Sequence, residues 1–216
     1  MLDIDLVIFD CDGVLVDSEL LSCRCLSLAL ADHGIALDVD SAVQLFVGRN
    51  VAAVREHFRA QGHSLPDDFA AGLATRVRAA FRDALSPIEG IAAVLERMHV
   101  PICVASSSDL ERVKLSLELT GLSAWFGDRL FTAQMVKHGK PAPDLFLHAA
   151  RAMRADPRRA LVIEDSVSGV LAAKTAGMAV WGFVGGAHYA SRDGRAILGQ
   201  AGADRVFARM SEFWPD

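Results

Sequence analysis

The sequence is poor in cysteine, in proline and in excess charge of either sign. Its 216 residues include four cysteines and seven prolines, and 22 basic side chains stand against 27 acidic ones. Four irregularly spaced cysteines do not make a disulfide framework, and Cys23-x-Cys25 has no matching Cys/His pair at zinc-site spacing. A net charge of −5 offers no general basic surface to nucleic acid or to an anionic membrane.

Long apolar runs are absent as well. No stretch reaches the roughly 18 uninterrupted apolar residues that cross a bilayer. The N-terminus lacks the basic segment of a secretory signal. We therefore expect a cytoplasmic protein, a monomer or weak homodimer, that binds neither nucleic acid nor a membrane.

The sequence does contain a repeated alternation of short and long apolar patterns. Strand-like runs occur at residues 6–9, 101–105, 161–163 and 179–183, and helix-length amphipathic segments lie between the later ones. In residues 144–153 the apolar positions line one helix face. Strands that alternate with helices predict an α/β fold with a parallel sheet covered on both faces.

Residues 17–85 interrupt this alternation. Leu21, Cys25 and Leu28 recur at helical spacing, and three further helical segments follow without a convincing strand between them. The segments are 41–46, 51–61 and 69–84. The sequence therefore predicts a core domain from residues 1–16 and 86–216, with an all-helical domain of residues 17–85 inserted after the first strand.

Chemically reactive side chains follow the predicted strands or precede a helix. They are Asp10 and Asp12 after the first strand, Ser106-Ser107-Ser108 after the second, Lys140 in a Gly/Pro loop, and Glu164-Asp165 after the third. Because the carboxyl ends of parallel strands meet at one edge of a sheet, we expect these groups to converge. Carboxylates are ligands that Mg²⁺ prefers, and a hydroxyl at a helix N-terminus binds phosphate oxygens.

Each of these features also has an ordinary structural explanation. Asp-Gly is common in turns, a serine can be a helix N-cap, a loop lysine can be solvated, and acidic residues suit a helix N-terminus. The seven histidines, His148 included, are interpreted as surface or packing residues. No G-x-x-x-x-G-K-[ST] or G-x-S-x-G motif is present, which argues against a P-loop nucleotidase and a simple serine hydrolase.

Taken together, the four motifs resemble those of the haloacid dehalogenase superfamily, in its phosphatase branch with a helical cap. They stand in the family's order, as Asp10-x-Asp12-Gly13, Ser106-Ser107-Ser108, Gly139-Lys140-Pro141 and Glu164-Asp165-Ser166. The resemblance implies a Rossmann-like parallel sheet core with an inserted all-helical cap.

The resemblance also implies a role for each motif residue. Asp10 would be the nucleophile, and Asp12 would protonate the leaving alcohol and later deprotonate water. Ser106, Ser107 and Lys140 would hold the phosphoryl group. Mg²⁺ would be bound by Asp10, the Asp12 carbonyl and Asp165, with Glu164 as a ligand directly or through water.

The implied substrate is a small phosphorylated metabolite, above all a sugar phosphate such as 6-phosphogluconate. Arg49 lies in Gly48-Arg49-Asn50, which resembles the family's specificity loop, and is a candidate to bind a carboxylate or second phosphate. The alternative is a phosphosugar mutase of the β-phosphoglucomutase type. That relative has a histidine about ten residues beyond the second aspartate, where this chain has Ser22.

Overall fold

A computed structural model of the protein describes residues 3–214. Met1, Leu2, Pro215 and Asp216 belong to the predicted core segments and lie outside the described residues. The chain divides into two compact units, one formed up to Asp17 and from Ser86 onward, the other by Ser18–Leu85. Within the described part of the chain, no helix is both long enough and apolar enough to cross a membrane.

The first unit is built on a parallel sheet of six strands within the described residues. The strands are β1 (Leu6–Phe9), β2 (Ile102–Ser106), β3 (Leu130–Thr132), β4 (Ala160–Glu164), β5 (Ala179–Phe183) and β6 (Arg205–Phe207). Their order is β3-β2-β1-β4-β5-β6, and all neighbours are parallel. The predicted α/β fold with a Rossmann-like sheet is confirmed. Two strands that the sequence did not predict, β3 and β6, have three residues each.

The second unit is all-helical, as predicted for the insert. Its helices are α1 (Glu19–Ala31), α2 (Val39–Phe46), α3 (Val51–Ala60) and α4 (Phe69–Ala84). Leu28, which the spacing placed on the buried face of α1, is instead 55% exposed, whereas Leu26 and Leu30 are buried. Helix α1 is apolar nearly all round, so periodicity alone does not define which face packs against α2 and α4.

Among the described residues, the first unit contains six further α-helices. They are α5 (Ile91–Glu96), α6 (Leu110–Leu119), α7 (Ser123–Phe126), α8 (Asp144–Ala152), α9 (Val167–Thr175) and α10 (Gly194–Gln200). Ile8 of β1 lies in one core cluster with Phe146 of α8 and Val170 of α9. The next residue, Phe9, contacts Phe126 of α7 edge to face at 6.2 Å. Since neighbouring strand residues point to opposite faces, helices cover both sides of the sheet.

The central position of β1 determines where the site forms. Its neighbours β2 and β4 lie on opposite sides, and connections that diverge from a central strand open a crevice at the carboxyl ends of the strands. The Asp10 N–H continues the sheet by donating to the Ile163 carbonyl at 2.9 Å. The Cys11 carbonyl then accepts hydrogen bonds from the N–H groups of Leu15 and Val16, which closes a tight turn directly above the strand.

Candidate active site

Three carboxylates lie together beyond the ends of β1 and β4. Asp10, Glu164 and Asp165 each place a carboxylate oxygen within 4.8 Å of the other two. Their residues are 7%, 0% and 2% exposed. Burial of three acidic groups at one point is costly unless positive charge is nearby. The cluster therefore indicates a site built to hold cations rather than an incidental group of turn residues.

Lys140 supplies part of that positive charge. Its Nζ lies 2.8 Å from Asp10 Oδ1, 2.5 Å from Glu164 Oε1 and 2.9 Å from the Ala105 carbonyl oxygen. An ammonium group has three N–H donors, so these acceptors use all of them. Burial alone would lower the pKa of Lys140, but the carboxylates of Asp10 and Glu164 outweigh it and the net shift is upward. Lys140 is thus a fixed cation.

One lysine does not balance three carboxylates. Burial raises the pKa of Asp10 well above the usual carboxyl range, and Lys140 opposes that shift while Glu164 and Asp165 add to it. Burial, followed by the charge of Glu164, likewise raises the pKa of Asp165. Three carboxylates and one ammonium leave an excess of two negative charges, which is the charge that a divalent cation neutralises.

The donor set fits a hard divalent cation in geometry as well as in charge. Two ligands on opposite sides of one Mg²⁺ ion are about 4.2 Å apart, so oxygens within 4.8 Å need only small adjustments to share it. Asp165 Oδ2 is buried and makes no hydrogen bond within the described residues. His188 Nε2 lies 3.2 Å from this oxygen without forming a hydrogen bond to it, and a buried carboxylate oxygen that accepts no hydrogen bond is the kind of atom that a metal ion would satisfy. The acidic cluster is therefore compatible with metal binding.

Two glycines allow this close packing of carboxylates. Gly13 has a φ of +76°, and a Cβ there would lie 1.8 Å from Asp165 Oδ2. Gly169, in the first turn of α9, would place a Cβ 1.9 to 2.2 Å from the carboxyl atoms of Glu164. No side chain fits at either position without displacing a carboxylate of the cluster.

The raised pKa values predict that metal-free protein loses stability as the pH rises. A folded-state pKa above the unfolded one gives stability that is complete below the ordinary carboxyl pKa of about 4 and is lost as pH rises through the raised pKa. Saturating Mg²⁺ should restore that stability. We therefore expect the difference in Tm between Mg²⁺-loaded and metal-free protein to grow between about pH 5 and pH 8.

Thermal unfolding of wild type and Asp165→Asn, with and without Mg²⁺, checks this expectation. The variant removes one of the desolvated carboxylates, so its metal-free form should depend less on pH and should gain less from Mg²⁺. A Mg²⁺-induced Tm difference in wild type that is the same at every pH would contradict the electrostatic account of the cluster.

The second aspartate of the first motif lies apart from the cluster. Asp12 Oδ1 accepts a hydrogen bond from Arg112 Nη2 at 2.7 Å, and Oδ2 accepts one from Ser108 Oγ at 2.6 Å. Arg112 was not among the predicted site residues, and Ser108 was predicted only as part of the Ser106-Ser107-Ser108 motif, without a role of its own. One signal was available, because Arg112 lies in the first turn of α6, where the helix dipole disfavours a cation without an acidic partner.

The serines after β2 differ from one another. Ser106 is buried, and its Oγ accepts a hydrogen bond from the Ser108 N–H at 3.1 Å. Ser107 is exposed. The ordinary explanation of one of these serines as a helix N-cap is wrong for α6. The cap of α6 is Asp109, whose carboxylate accepts from the Arg112 N–H at 2.8 Å, and this leaves the Ser108 hydroxyl to bind Asp12.

One of the histidines interpreted as surface or packing residues, His188, lies beside the acidic cluster. It is buried, with Nε2 3.2 Å from Asp165 Oδ2. The adjacent Tyr189 hydroxyl donates to the Asp165 carbonyl at 2.5 Å. Both follow β5, and their position after a strand of a parallel sheet is the one sequence signal for them.

Arg49 lies in the helical unit. It is exposed, and it directly precedes Asn50, whose side chain caps α3 by accepting from the Ala53 N–H at 3.0 Å. The cap explains why the chain turns into a helix at this point. It leaves the Arg49 side chain unassigned, so its part in substrate binding stays a prediction.

Comparison with known proteins agrees with the motifs. A model of the haloacid dehalogenase-like hydrolase family matches residues 4–177. The chain belongs to this family of hydrolases. The hydrolase is 31% identical over 187 residues to 6-phosphogluconate phosphatase of Escherichia coli (strain K12), covering 86% of this chain and 85% of that protein.

Two solved structures are similar to this hydrolase over nearly its whole length. A HAD family hydrolase from Deinococcus radiodurans R1, with bound phosphate and sodium, has a TM-score of 0.80 and 35% identity, covering 99% of this chain and 94% of that one. A putative beta-phosphoglucomutase from Thermotoga maritima has a TM-score of 0.76 and 26% identity, covering 97% and 96%. The resemblance deduced from the four motifs is confirmed at the level of the family.

Proposed function

We propose that this hydrolase is a Mg²⁺-dependent phosphatase that hydrolyses phosphoric monoesters of small metabolites, sugar phosphates first among them. One observation carries the proposal. Asp10 is a buried carboxylate at the end of the central strand, paired with Lys140 and adjacent to Glu164 and Asp165. The similarity to 6-phosphogluconate phosphatase supports a phosphorylated sugar acid as a substrate class. Cytoplasmic location and a monomeric or weakly dimeric state stay predictions.

Asp10 is the proposed nucleophile. Its free carboxylate oxygen attacks phosphorus, so that an oxygen–phosphorus bond to Asp10 forms while the bond to the leaving alcohol breaks. Lys140 holds the other oxygen in place and limits the rise in the Asp10 pKa. Water then attacks phosphorus and releases Asp10. Mg²⁺ held by Asp10, Asp165 and the Asp12 carbonyl, and by Glu164 directly or through water, would neutralise charge on the reacting phosphoryl oxygens.

Asp12 is the proposed proton carrier for both half-reactions. It gives its proton to the oxygen of the leaving alcohol and then takes one from the attacking water. Its carboxylate sits apart from the metal-binding cluster, on the side of Ser108 and Arg112. These roles require that Asp10 be ionised while Asp12 starts protonated, and a divalent cation held by Asp10 would favour the ionised form of Asp10. Ser106, Ser107 and Lys140 stay the candidates for holding the phosphoryl oxygens.

A panel of phosphoric monoesters tests the function. Hexose phosphates, 6-phosphogluconate, glycerol phosphate and an aryl phosphate are incubated with enzyme and Mg²⁺, and released phosphate is measured. We expect phosphate release that stops when Mg²⁺ is chelated and resumes when it is restored. Release of no phosphate from any monoester would overturn the proposal.

The same panel distinguishes a phosphatase from the alternative, a phosphosugar mutase. The alternative is considered because the chain is similar to a putative beta-phosphoglucomutase. A mutase returns the phosphoryl group to a sugar before water attacks. Phosphorus NMR of the products distinguishes free phosphate from an isomerised sugar phosphate. If the isomer is the main product, the enzyme is a mutase rather than a phosphatase.

The role of Arg49 in substrate binding is tested by measuring kcat/KM for the same panel with Arg49→Ala and with wild type. If the order of the substrates by kcat/KM is unchanged, Arg49 does not take part in substrate selection.

A further inference from the structure

Both oxygens of the Asp12 carboxylate are held by one segment of chain. The segment runs from the end of β2 into the first turn of α6 and supplies Ser108 Oγ at 2.6 Å and Arg112 Nη2 at 2.7 Å. The Asp12 and Arg112 side chains are 10% and 22% exposed. A charge-assisted bond of this length, largely shielded from water, is stronger than an exposed ion pair.

Arg112 is fixed at both of its ends. Its backbone N–H donates to the Asp109 side chain at 2.8 Å, and its guanidinium donates to Asp12. The helix dipole makes this first turn an unfavourable place for a cation, so the position is stabilised by its acidic partners. Arg112 thereby connects the start of α6 to the motif that follows β1.

Proton transfer needs a carboxyl group at a defined place. An aspartate side chain rotates about two bonds, and a misplacement of 1 Å in a reacting group can cost about 10²-fold in rate. Two donors from one segment fix both the position and the plane of the Asp12 carboxyl group.

We propose that Arg112, assisted by Ser108, is a positioning residue that aims the Asp12 carboxyl group at the leaving-group oxygen. The inference rests on the proposed phosphatase function and deepens it. Arg112 acts through Asp12 rather than on the substrate. Its removal therefore lowers kcat/KM, which reports formation of the phosphoenzyme, only for substrates whose leaving group needs a proton. The later attack of water, which contributes to kcat, slows with every substrate.

Leaving-group dependence tests this inference. Values of kcat/KM are measured for an alkyl phosphate, whose alcohol must be protonated as it leaves, and for an aryl phosphate, whose phenolate leaves without a proton. We expect Arg112→Ala to lower the alkyl value by about 10- to 100-fold, which is part of the roughly 10²- to 10⁴-fold that general acid catalysis contributes. The aryl value should change less than about threefold, and Arg112→Lys should recover part of the alkyl loss.

A double-mutant cycle gives the second readout. In an Asp12→Asn background, Arg112→Ala should cause no further loss with the alkyl substrate, because the group it positions is already gone. Ser108→Ala should lower kcat/KM for the alkyl substrate selectively as well, but by a smaller factor. Because this variant keeps the ion pair between Arg112 and Asp12, it tests the inference even if Arg112→Ala folds poorly. Lys114→Ala, an exposed change on the same helix, is the matched control for loss of a cation.

Three results would overturn the inference. One is an equal loss on both substrates, and another is an additive loss in the Asp12→Asn background. The third is a rise in KM confined to substrates with a second anionic group, which would make Arg112 a specificity residue. These outcomes are independent of the proposed function, whose own failure would appear as undiminished hydrolysis by Asp10→Asn with every substrate.

Discussion

Replacement of Asp10 by asparagine is expected to lower kcat/KM for phosphomonoester hydrolysis by at least about 10⁴-fold. The amide has nearly the shape of the carboxylate but is a much weaker nucleophile. Lys140 and Glu164 can keep their contact, so the local structure has no reason to collapse. Phosphate release is measured with the best substrate of the panel at saturating Mg²⁺.

Asp128→Asn is the matched control for this change. Asp128 is exposed and lies in the same unit, before β3, so the same chemical change there should leave activity at the wild-type level. The Asp10→Asn variant should also remain folded, because it loses a desolvated carboxylate whose burial is unfavourable. Hydrolysis by folded Asp10→Asn at more than about one-hundredth of the wild-type rate would contradict covalent catalysis by Asp10.

Addition of one methyl group at Gly169 is expected to have the second-largest effect. The Cβ of Gly169→Ala would lie 1.9 to 2.2 Å from the carboxyl atoms of Glu164, so that side chain must move. Glu164 is fully buried, and it holds Lys140 at 2.5 Å and the Ser166 N–H at 3.0 Å. We expect about a 10²-fold loss of activity, and destabilisation by about 1–3 kcal/mol from overpacking.

A second helical glycine in the same unit provides the control. A Cβ at Gly199 in α10 would have no neighbour within 4 Å. Gly199→Ala should therefore keep full activity and gain up to about 1 kcal/mol, because alanine loses less backbone entropy in a helix. Activity and denaturant unfolding of the two variants are measured side by side. If Gly169→Ala and Gly199→Ala had the same activity and stability, the position of the Glu164 side chain would not matter for either property.

The sequence predicted the buried strands well and the short ones poorly. The run at 6–9 and the run at 179–183 matched β1 and β5, because strands in a parallel sheet are apolar on both faces. Strands β3 and β6 have only three residues each, two of them apolar, and such short runs also occur in helices and loops. They are strands here because β2 and β5 leave backbone groups to pair with.

The sequence predicted the site residues that lie at strand ends or in a motif loop, but not those whose contacts depend on the packing of distant segments. Asp10, Lys140 and Glu164 converge as the spacing indicated. His188 reaches Asp165 only because the chain turns back after β5, and a lone histidine in a sequence does not reveal that turn. Arg112 and Asp12 are 100 residues apart in the sequence, so their contact is defined only by the tertiary fold.

Chemical trapping of the phosphoenzyme tests the central claim most directly. Enzyme is mixed with substrate and Mg²⁺, quenched in acid and treated with borohydride, which reduces an acyl phosphate to an alcohol. The Asp12→Asn variant, supplied with an aryl phosphate, should accumulate the intermediate because water is no longer deprotonated. Peptide mass spectrometry should then find homoserine in place of Asp10 and at no other position. Homoserine at a different aspartate, or none at position 10 while substrate turns over, would contradict the account.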